Sequence, residues 1–328
     1  MNSPTPSNRR CWTISDGTAG NERQALALAR ALGLAPRVLR IDLRQPWNAL
    51  APRLTIGAGT AIRDQEGAPL APPWPHIAIG CGRRAALVTR MLRGWSGGRT
   101  FTVQILDPRI EAAAFDVVIA PQHDHVTGTN ALYSIGALNA VDHDWLAAGR
   151  TRFANFAALP VPRTAVLIGG SNRAQRLDDA YFDALLERLC ARHAADGGSF
   201  LISVSRRTRV ATTSLLRTRF AKFPGVFFDG SADSENPYAG YLAWADRLVV
   251  TPDSVNMLSE AAATGKPVYT FALRPISGKL AAFHAELIAS GHLRRLDDAT
   301  HRPQPAPLAE TAAIAELVYE RWRAQRLR

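Results

Sequence analysis

Asp253, Asn256 and Glu260 stand at i, i+3 and i+7 within the stretch Thr251–Phe271, a spacing that sets them on one face of a helix. Such a face offers hydrogen-bond acceptors to sugar hydroxyls. Asp253 or Ser254 can cap the helix by accepting hydrogen bonds from its first N–H groups. Gly265 ends it, and Pro267 opens another apolar run. The helix, expected over Ser254–Thr264, follows the apolar run Asp246–Val250. Its positive end therefore points to the crevice where parallel α/β sheets hold ligands, at the C-terminal ends of their strands. The pattern predicts a nucleotide-sugar pocket.

Further loops carry the same kind of chemistry. In Val166–Arg173 a Gly169-Gly170-Ser171 turn follows an apolar run, so backbone N–H groups are expected to be free for a phosphate, with Ser171, Asn172 and Arg173 beside them. Ser205 and Arg206 emerge after the next apolar run, and a guanidinium fork suits a diphosphate. Tyr238, after Asn236-Pro237, stands where it can flank a base or simply start a helix. Near the N-terminus, Asp16-Gly17-Thr18-Ala19-Gly20-Asn21 forms a phosphate or acceptor loop or a plain tight turn with Asn21 as helix cap; Arg23 and Gln24 follow. It is neither a Walker A loop nor a GxGxxG fingerprint.

For a general base toward an acceptor hydroxyl, His123, Asp124 and Asp16 are the candidates, and the sequence does not choose among them. His123-Asp124-His125 shows no third ligand, so no metal site and no DxD metal motif are assigned. No nucleophilic triad or GxSxG elbow is present.

The elements that must position these residues alternate strand and helix in two blocks. The first has strands near Cys11–Ser15, Arg37–Leu43, His76–Gly80, Phe101–Leu106 and Phe115–Ala120, with helices near Glu22–Leu32 and Arg83–Leu92. The second has strands near Thr164–Ile168, Phe200–Val204, Val226–Asp229, Leu248–Thr251 and Val268–Phe271. Its helices lie near Asp178–Arg192, Val210–Phe220, Tyr238–Ala245 and Ser254–Thr264. Short apolar strands between helices imply parallel sheets covered on both faces, hence an α/β protein of two Rossmann-like domains. Pro160 and Pro162 mark the linker, giving domains over 1–160 and 161–305. A second proline-rich break, Arg302–Leu308, precedes a final helix near Ala309–Arg326 within the segment 306–328. Pro46–Leu70 is rich in loop residues and receives no assignment.

A chain of 328 residues with 47% hydrophobic and 20% charged residues is globular and long enough for two cores. Cys11, Cys81 and Cys190 are too few and too scattered for a disulfide framework or a zinc site. No signal-peptide pattern and no apolar run of membrane-spanning length are visible, so a cytoplasmic protein is expected. The net charge of +11 rests almost wholly on arginine, since the chain has only Lys222, Lys266 and Lys279 as lysines. That balance favours an anionic partner: nucleotide phosphates or an acidic membrane face. Nucleic acid is disfavoured, because the arginines are scattered and not interleaved with aromatics.

Taken together, Asp16-Gly17-x-x-Gly20, Gln104–Arg109, Pro121–Asn130 with Gly136-Ala137, Ile168–Asn172, Ser203–Arg206, Asn236–Tyr238 and Asp253–Pro267 resemble a proteobacterial glycosyltransferase-type family. That family also contains the plant mitochondrial-fission (elongate-mitochondria) proteins. The resemblance runs from about Cys11 to Leu296. It implies two facing Rossmann-like domains of the GT-B type, with the donor nucleotide held by the C-terminal one, Glu260 on the ribose hydroxyls, and the last helix crossing back to the N-terminal domain. The expectation is a metal-independent transferase without cofactor. It would move a sugar from a nucleoside-diphosphate donor to a cell-envelope or lipid-linked acceptor, docked on the anionic inner face of the cytoplasmic membrane. Gly169, Gly170, Ser171 and Arg206 would hold the diphosphate, and His123 or Asp16 would take the acceptor proton. The alternatives are a non-catalytic membrane-associated scaffold of fission type and a nucleotide-sugar epimerase.

Overall fold

Strands buried at every position need cover on both faces, and several of the apolar runs fold that way. The computed structural model describes residues 9–172, 174–205, 208–231, 235–298, 303 and 305–326. The chain divides into two units: Met1–Ala140 with Glu310–Arg328, and Val141–Ala309.

The first unit runs β1 (Cys11–Ser15), α1 (Ala19–Ala31), β2 (Pro36–Leu43), α2 (Trp47–Leu50), α3 (Ala58–Ala61), β3 (Ile62–Asp64), β4 (Ile77–Cys81), α4 (Arg83–Trp95), β5 (Phe101–Ile105), β6 (Val117–Pro121) and β7 (Ala131–Ser134). The sheet order is β3-β2-β1-β4-β5-β6-β7. All neighbours are parallel except β3, which pairs antiparallel with β2 through Ile41 and Asp64. One sheet face packs Ile79, Val103 and Ile119 against Leu28 of α1. The other packs Trp12, Ile14 and Ala78 against Leu87 and Leu92 of α4.

The second unit contains α5 (His143–Arg152), β8 (Arg163–Ile168), α6 (Asp179–Asp196), β9 (Ser199–Val204), α7 (Val210–Phe220), β10 (Gly225–Phe228), α8 (Tyr238–Trp244), β11 (Arg247–Val250), α9 (Val255–Ala262), β12 (Val268–Thr270), α10 (Gly278–Ala289) and β13 (Arg294–Arg295). Its sheet order is β10-β9-β8-β11-β12-β13, parallel throughout. Val166, Ile202 and Val249 face Tyr181, Leu185 and Leu189 of α6 in the core.

The chain then returns to the first unit as α11 (Glu310–Arg326). Ile314, Val318 and Trp322 of α11 join the core on the α1 side of the sheet, and Trp322 stacks on Phe101 with ring centroids 6.3 Å apart. Glu310 accepts hydrogen bonds from the backbone N–H groups of Ile135 (2.8 Å) and Gly136 (2.9 Å). Thr311 Oγ1 accepts from Asn139 N–H at 3.0 Å.

The division between units falls at Ala140 and not at the proline pair Pro160 and Pro162. The cause is α5, which packs on α8: Ala239 O lies 2.8 Å from where a Cβ on Gly149 would sit, so only glycine admits this approach. Arg150 Nε also donates to Ala243 O at 3.1 Å.

Candidate functional site

In each sheet the chain builds outward in one direction and then reverses, between β1 and β4 in the first unit and between β8 and β11 in the second. Loops that follow the two central strands diverge at such a reversal and leave a crevice. In the second unit those loops are Gly169–Asn172, after β8, and Thr251–Ser254, after β11. They are joined by a buried hydrogen-bond chain. Gly169 N–H donates to Thr251 Oγ1 (2.8 Å), and that hydroxyl donates to Asp253 Oδ1 (2.6 Å). Gly170 N–H donates to Asp253 Oδ2 at 3.0 Å, and Asn172 Nδ2 donates to Asp253 O at 3.0 Å. A Cβ on Gly169 would lie 2.2 Å from the Asp253 carboxylate, so the close approach requires glycine.

This corrects the expectation that the N–H groups of Gly169 and Gly170 are free for a phosphate. Asp253 and Thr251 hold them, because β8 and β11 are neighbours in the sheet. It also settles which residue caps α9. Ser254 is the N-cap, its side chain accepting from Met257 N–H at 3.4 Å, and Asp253 lies before the helix as the tie between the loops. Ser171 is tied down as well, exchanging hydrogen bonds with the backbone of Leu177 (2.9 and 3.2 Å). Asn172 Oδ1 accepts from Ala174 and Gln175 N–H at 2.9 and 2.8 Å, closing the turn.

Glu260 sits on α9, buried at 7% exposure. Tyr238, the first residue of α8, donates its hydroxyl to Glu260 Oε2 at 2.5 Å. Both are candidates from the sequence, which does not pair them. Asn256 is half-buried one turn before Glu260, and Ser205 is half-buried after β9, its N–H donating to Ile168 O at 2.8 Å. Arg173, Arg206 and Arg207 lie outside the described residues.

Three supporting residues carried no signal as single letters. Thr251 links the two loops. Thr208 donates to Gly169 O at 2.7 Å. His284 of α10, buried, hydrogen-bonds Pro252 O through Nε2 at 2.8 Å. Burial outweighs that hydrogen bond and holds the His284 pKa below the usual histidine value. Tyr181, beneath the loops, is raised well above the ordinary tyrosine value by burial and then by the charge of Asp253.

In the first unit the reversal brings Asn21, in the first turn of α1, to Gly82, the N-cap of α4, whose Cβ would lie 2.6 Å from Asn21 Nδ2. Thr18, not Asn21, is the N-cap of α1. Gly17 takes φ +78°, where a side chain would be strained, and Gly20 lies in the first turn of α1. Asp16 Oδ1 accepts from Thr18 N–H (3.2 Å), the Thr18 hydroxyl and Asn21 Nδ2 (3.2 Å), and Arg84 lies 4.0 Å from its other oxygen. Burial alone would raise its pKa, but the hydrogen bonds with Thr18 and Asn21, together with Arg84, bring it below the ordinary aspartate value. His123 and Asp124, both half-buried, form a short 3₁₀ turn after β6 that His125 closes at φ +52°.

The string Asp142-His143-Asp144 spells a DxD. Asp142 is the N-cap of α5, accepting from Trp145 N–H at 2.7 Å. Among the described residues no cluster of three or more His, Cys, Asp or Glu is placed to hold a metal ion.

Two Rossmann-like α/β units, each with a largely or wholly parallel sheet reversed at its centre, define the GT-B type of fold. The sequence pattern of the family described as "Mitochondrial fission ELM1" matches residues 19–322, and the chain belongs to that family. The chain is 26% identical to the mitochondrial fission protein ELM1 of Arabidopsis thaliana, over 94% of this chain and 90% of that one. Among solved structures it is similar to the UDP-GlcNAc 2-epimerase from Neisseria meningitidis bound to UDP-GlcNAc. That similarity has a TM-score of 0.57 and 9% identity, over 95% of this chain and 99% of that one. It is also similar to the glycotransferase of kitacinnamycin, with a TM-score of 0.51 and 14% identity over 99% and 96% of the two chains.

Proposed function

We propose that the second unit binds a nucleoside-diphosphate sugar at the β8/β11 reversal and that the protein is a metal-independent glycosyltransferase. The reading rests above all on Glu260, a buried carboxylate on the helix leaving the crevice, oriented by the Tyr238 hydroxyl. A carboxylate is an acceptor only, a chemistry that suits the paired hydroxyls of a ribose. The amide groups of Gly169 and Gly170 are engaged, so the diphosphate is assigned to the N-terminal end of α9, with Ser205 and Arg206. The positive end of a helix favours such an anion. In the transfer a bond forms between the acceptor oxygen and the anomeric carbon, and the bond from that carbon to the diphosphate breaks. The diphosphate leaves with the electron pair, and the acceptor proton passes to a base. Of the candidate bases His123 and Asp124 are favoured over Asp16, which is held as a carboxylate by its donors and by Arg84 and is weakened as a proton acceptor.

The acceptor class in this proposal is a cell-envelope or lipid-linked hydroxyl. Supporting it are the surplus of arginine and the family's fission members, a role that also leaves room for a scaffold without catalysis. The experiment is a thermal-shift screen with UDP, GDP, CMP, dTDP and ADP and their sugar conjugates, run beside Glu260→Ala. A nucleotide at about a hundred times its Kd stabilises by roughly 2.7 kcal/mol. A shift with one nucleotide, lost in the variant, is the expected result. Folded protein that responds to none of them would leave the scaffold reading in its place. Conversion of the nucleotide sugar with no acceptor present would identify an epimerase instead.

A further inference from the structure

The segment between β2 and β3 has an inner and an outer side of opposite character. Ala51, Ala58, Ala61 and Ile62 are buried, and Trp47 and Trp95 pack beneath them. Outward stand Leu50 and Ile56, exposed at 52% and 83%. Exposed apolar side chains on a mobile loop mean little, but this loop is fastened. Arg83 of α4 donates to Asn48 O (3.0 Å), Ala49 O (3.2 Å) and Ala51 O (2.8 Å). Arg90, two turns along the same helix, donates to Pro52 O at 3.3 Å. Trp47 Nε1 donates to Ile56 O at 2.8 Å, and Trp47 lies 3.2 Å from where a Cβ on Gly57 would sit. The fold thus holds Leu50 and Ile56 out in water.

Within the segment the charge has one sign, and the exposed acids Asp42 and Glu66 stand outside it. From Arg44 to Arg63 the chain carries Arg44, Arg53 and Arg63 and no acidic residue, and Arg44 and Arg53 are exposed. The flanking Asp64 is buried and turned inward, accepting from Glu66 and Ala68 N–H at 3.1 and 2.8 Å. Two projecting side chains fall far short of the roughly 800 Å² per partner that a stable protein interface needs. They suffice for a bilayer, where apolar tips enter the headgroup boundary and arginines meet anionic lipid.

We propose that the Arg44–Arg63 segment is a membrane-docking element, with Leu50 and Ile56 inserting into an anionic phospholipid surface and Arg44 and Arg53 pairing with its headgroups. This surface does not depend on the nucleotide site. The test is flotation of the full chain with phosphatidylcholine vesicles, with or without about 30% phosphatidylglycerol, at physiological salt. Leu50→Ser/Ile56→Ser and Arg44→Gln/Arg53→Gln run alongside, and unchanged melting temperatures show that both variants fold. The wild type is expected to float only with the anionic vesicles. The apolar double variant should partition at least tenfold less, and the arginine double variant about 25-fold less, at about fivefold per charge. Absence of wild-type binding, or variants that bind as the wild type does, would overturn the proposal. So would concentration-dependent self-association that Leu50→Ser/Ile56→Ser abolishes while vesicle binding persists, which would assign the surface to a second copy of the chain.

Discussion

Asp253 stands just before α9 and Glu260 within it, and the two serve different purposes. Both oxygens of Asp253 are engaged with Thr251 and the Gly170 N–H, so it acts as a brace between two loops. Removing it by Asp253→Ala leaves buried donors without an acceptor, at a cost of about 1–3 kcal/mol. Gly169→Ala, forcing a Cβ against that carboxylate, should cost about 1–3 kcal/mol by overpacking. Urea unfolding of the two variants measures both, and a Gly169→Ala variant as stable as the wild type would contradict the close approach. Glu260 is instead the carboxylate that the proposed function assigns to the nucleotide. Tyr238→Phe removes one hydrogen bond to its carboxylate and is expected to weaken nucleotide binding about tenfold, read by calorimetric titration, while leaving the fold intact. At this scale the sequence was informative about residue type and poor about partnership. Glu260 and Tyr238 are candidates by residue type, but Gly170 and Asp253 are 83 positions apart, and only the pairing of β8 with β11 joins them.

Among the elements, α8 links the site to the interior. Its first residue orients Glu260, and its last turn is held by Lys266, whose Nζ donates to Leu242 O and Ala243 O at 2.7 Å each. Burial, reinforced by the positive charge of Arg150, depresses the Lys266 pKa from 10.5 to about 8, with Asp246 opposing and Arg163 adding to the effect. A lysine whose pKa is lower folded than unfolded binds fewer protons in the native state between those two values. Stability therefore rises with pH from about 8 toward 10.5. Burial of His284 acts the same way in an acid window, so stability falls as pH drops below the ordinary histidine value of about 6.5. Denaturant titrations at pH 7, 9 and 10 should show the alkaline rise in the wild type and its loss in Lys266→Met. The central strands were legible because they are continuous apolar runs. β7, α5, α10 and β13 are not legible in the sequence. Part of the reason is that β13 has two residues and that α5 interrupts its pattern with Gly149, whose purpose is the approach to α8. The antiparallel edge strand β3 lies in the stretch that received no assignment.

For the whole molecule, two separate cores predict two responses to one ligand. Hydrogen-exchange mass spectrometry with and without the stabilising nucleotide should show protection concentrated in peptides covering Gly169–Asn172 and Thr251–Glu260 of the second unit. Protection appearing instead around Asp16–Asn21 would move the nucleotide site to the β1/β4 reversal of the first unit. The final helix supplies another check. Glu310→Ala frees two backbone N–H groups that a carboxylate now accepts, and should lower stability by about 1–3 kcal/mol without altering nucleotide affinity.

The route of the chain through α11 has a further consequence, for the order of synthesis. The strands of the first unit emerge from the ribosome first, but the core they share with Ile314, Val318 and Trp322 stays open until the last of these residues has been made. The second unit, one continuous stretch from Val141 to Ala309, can close before then. The half synthesised earliest is thus completed last.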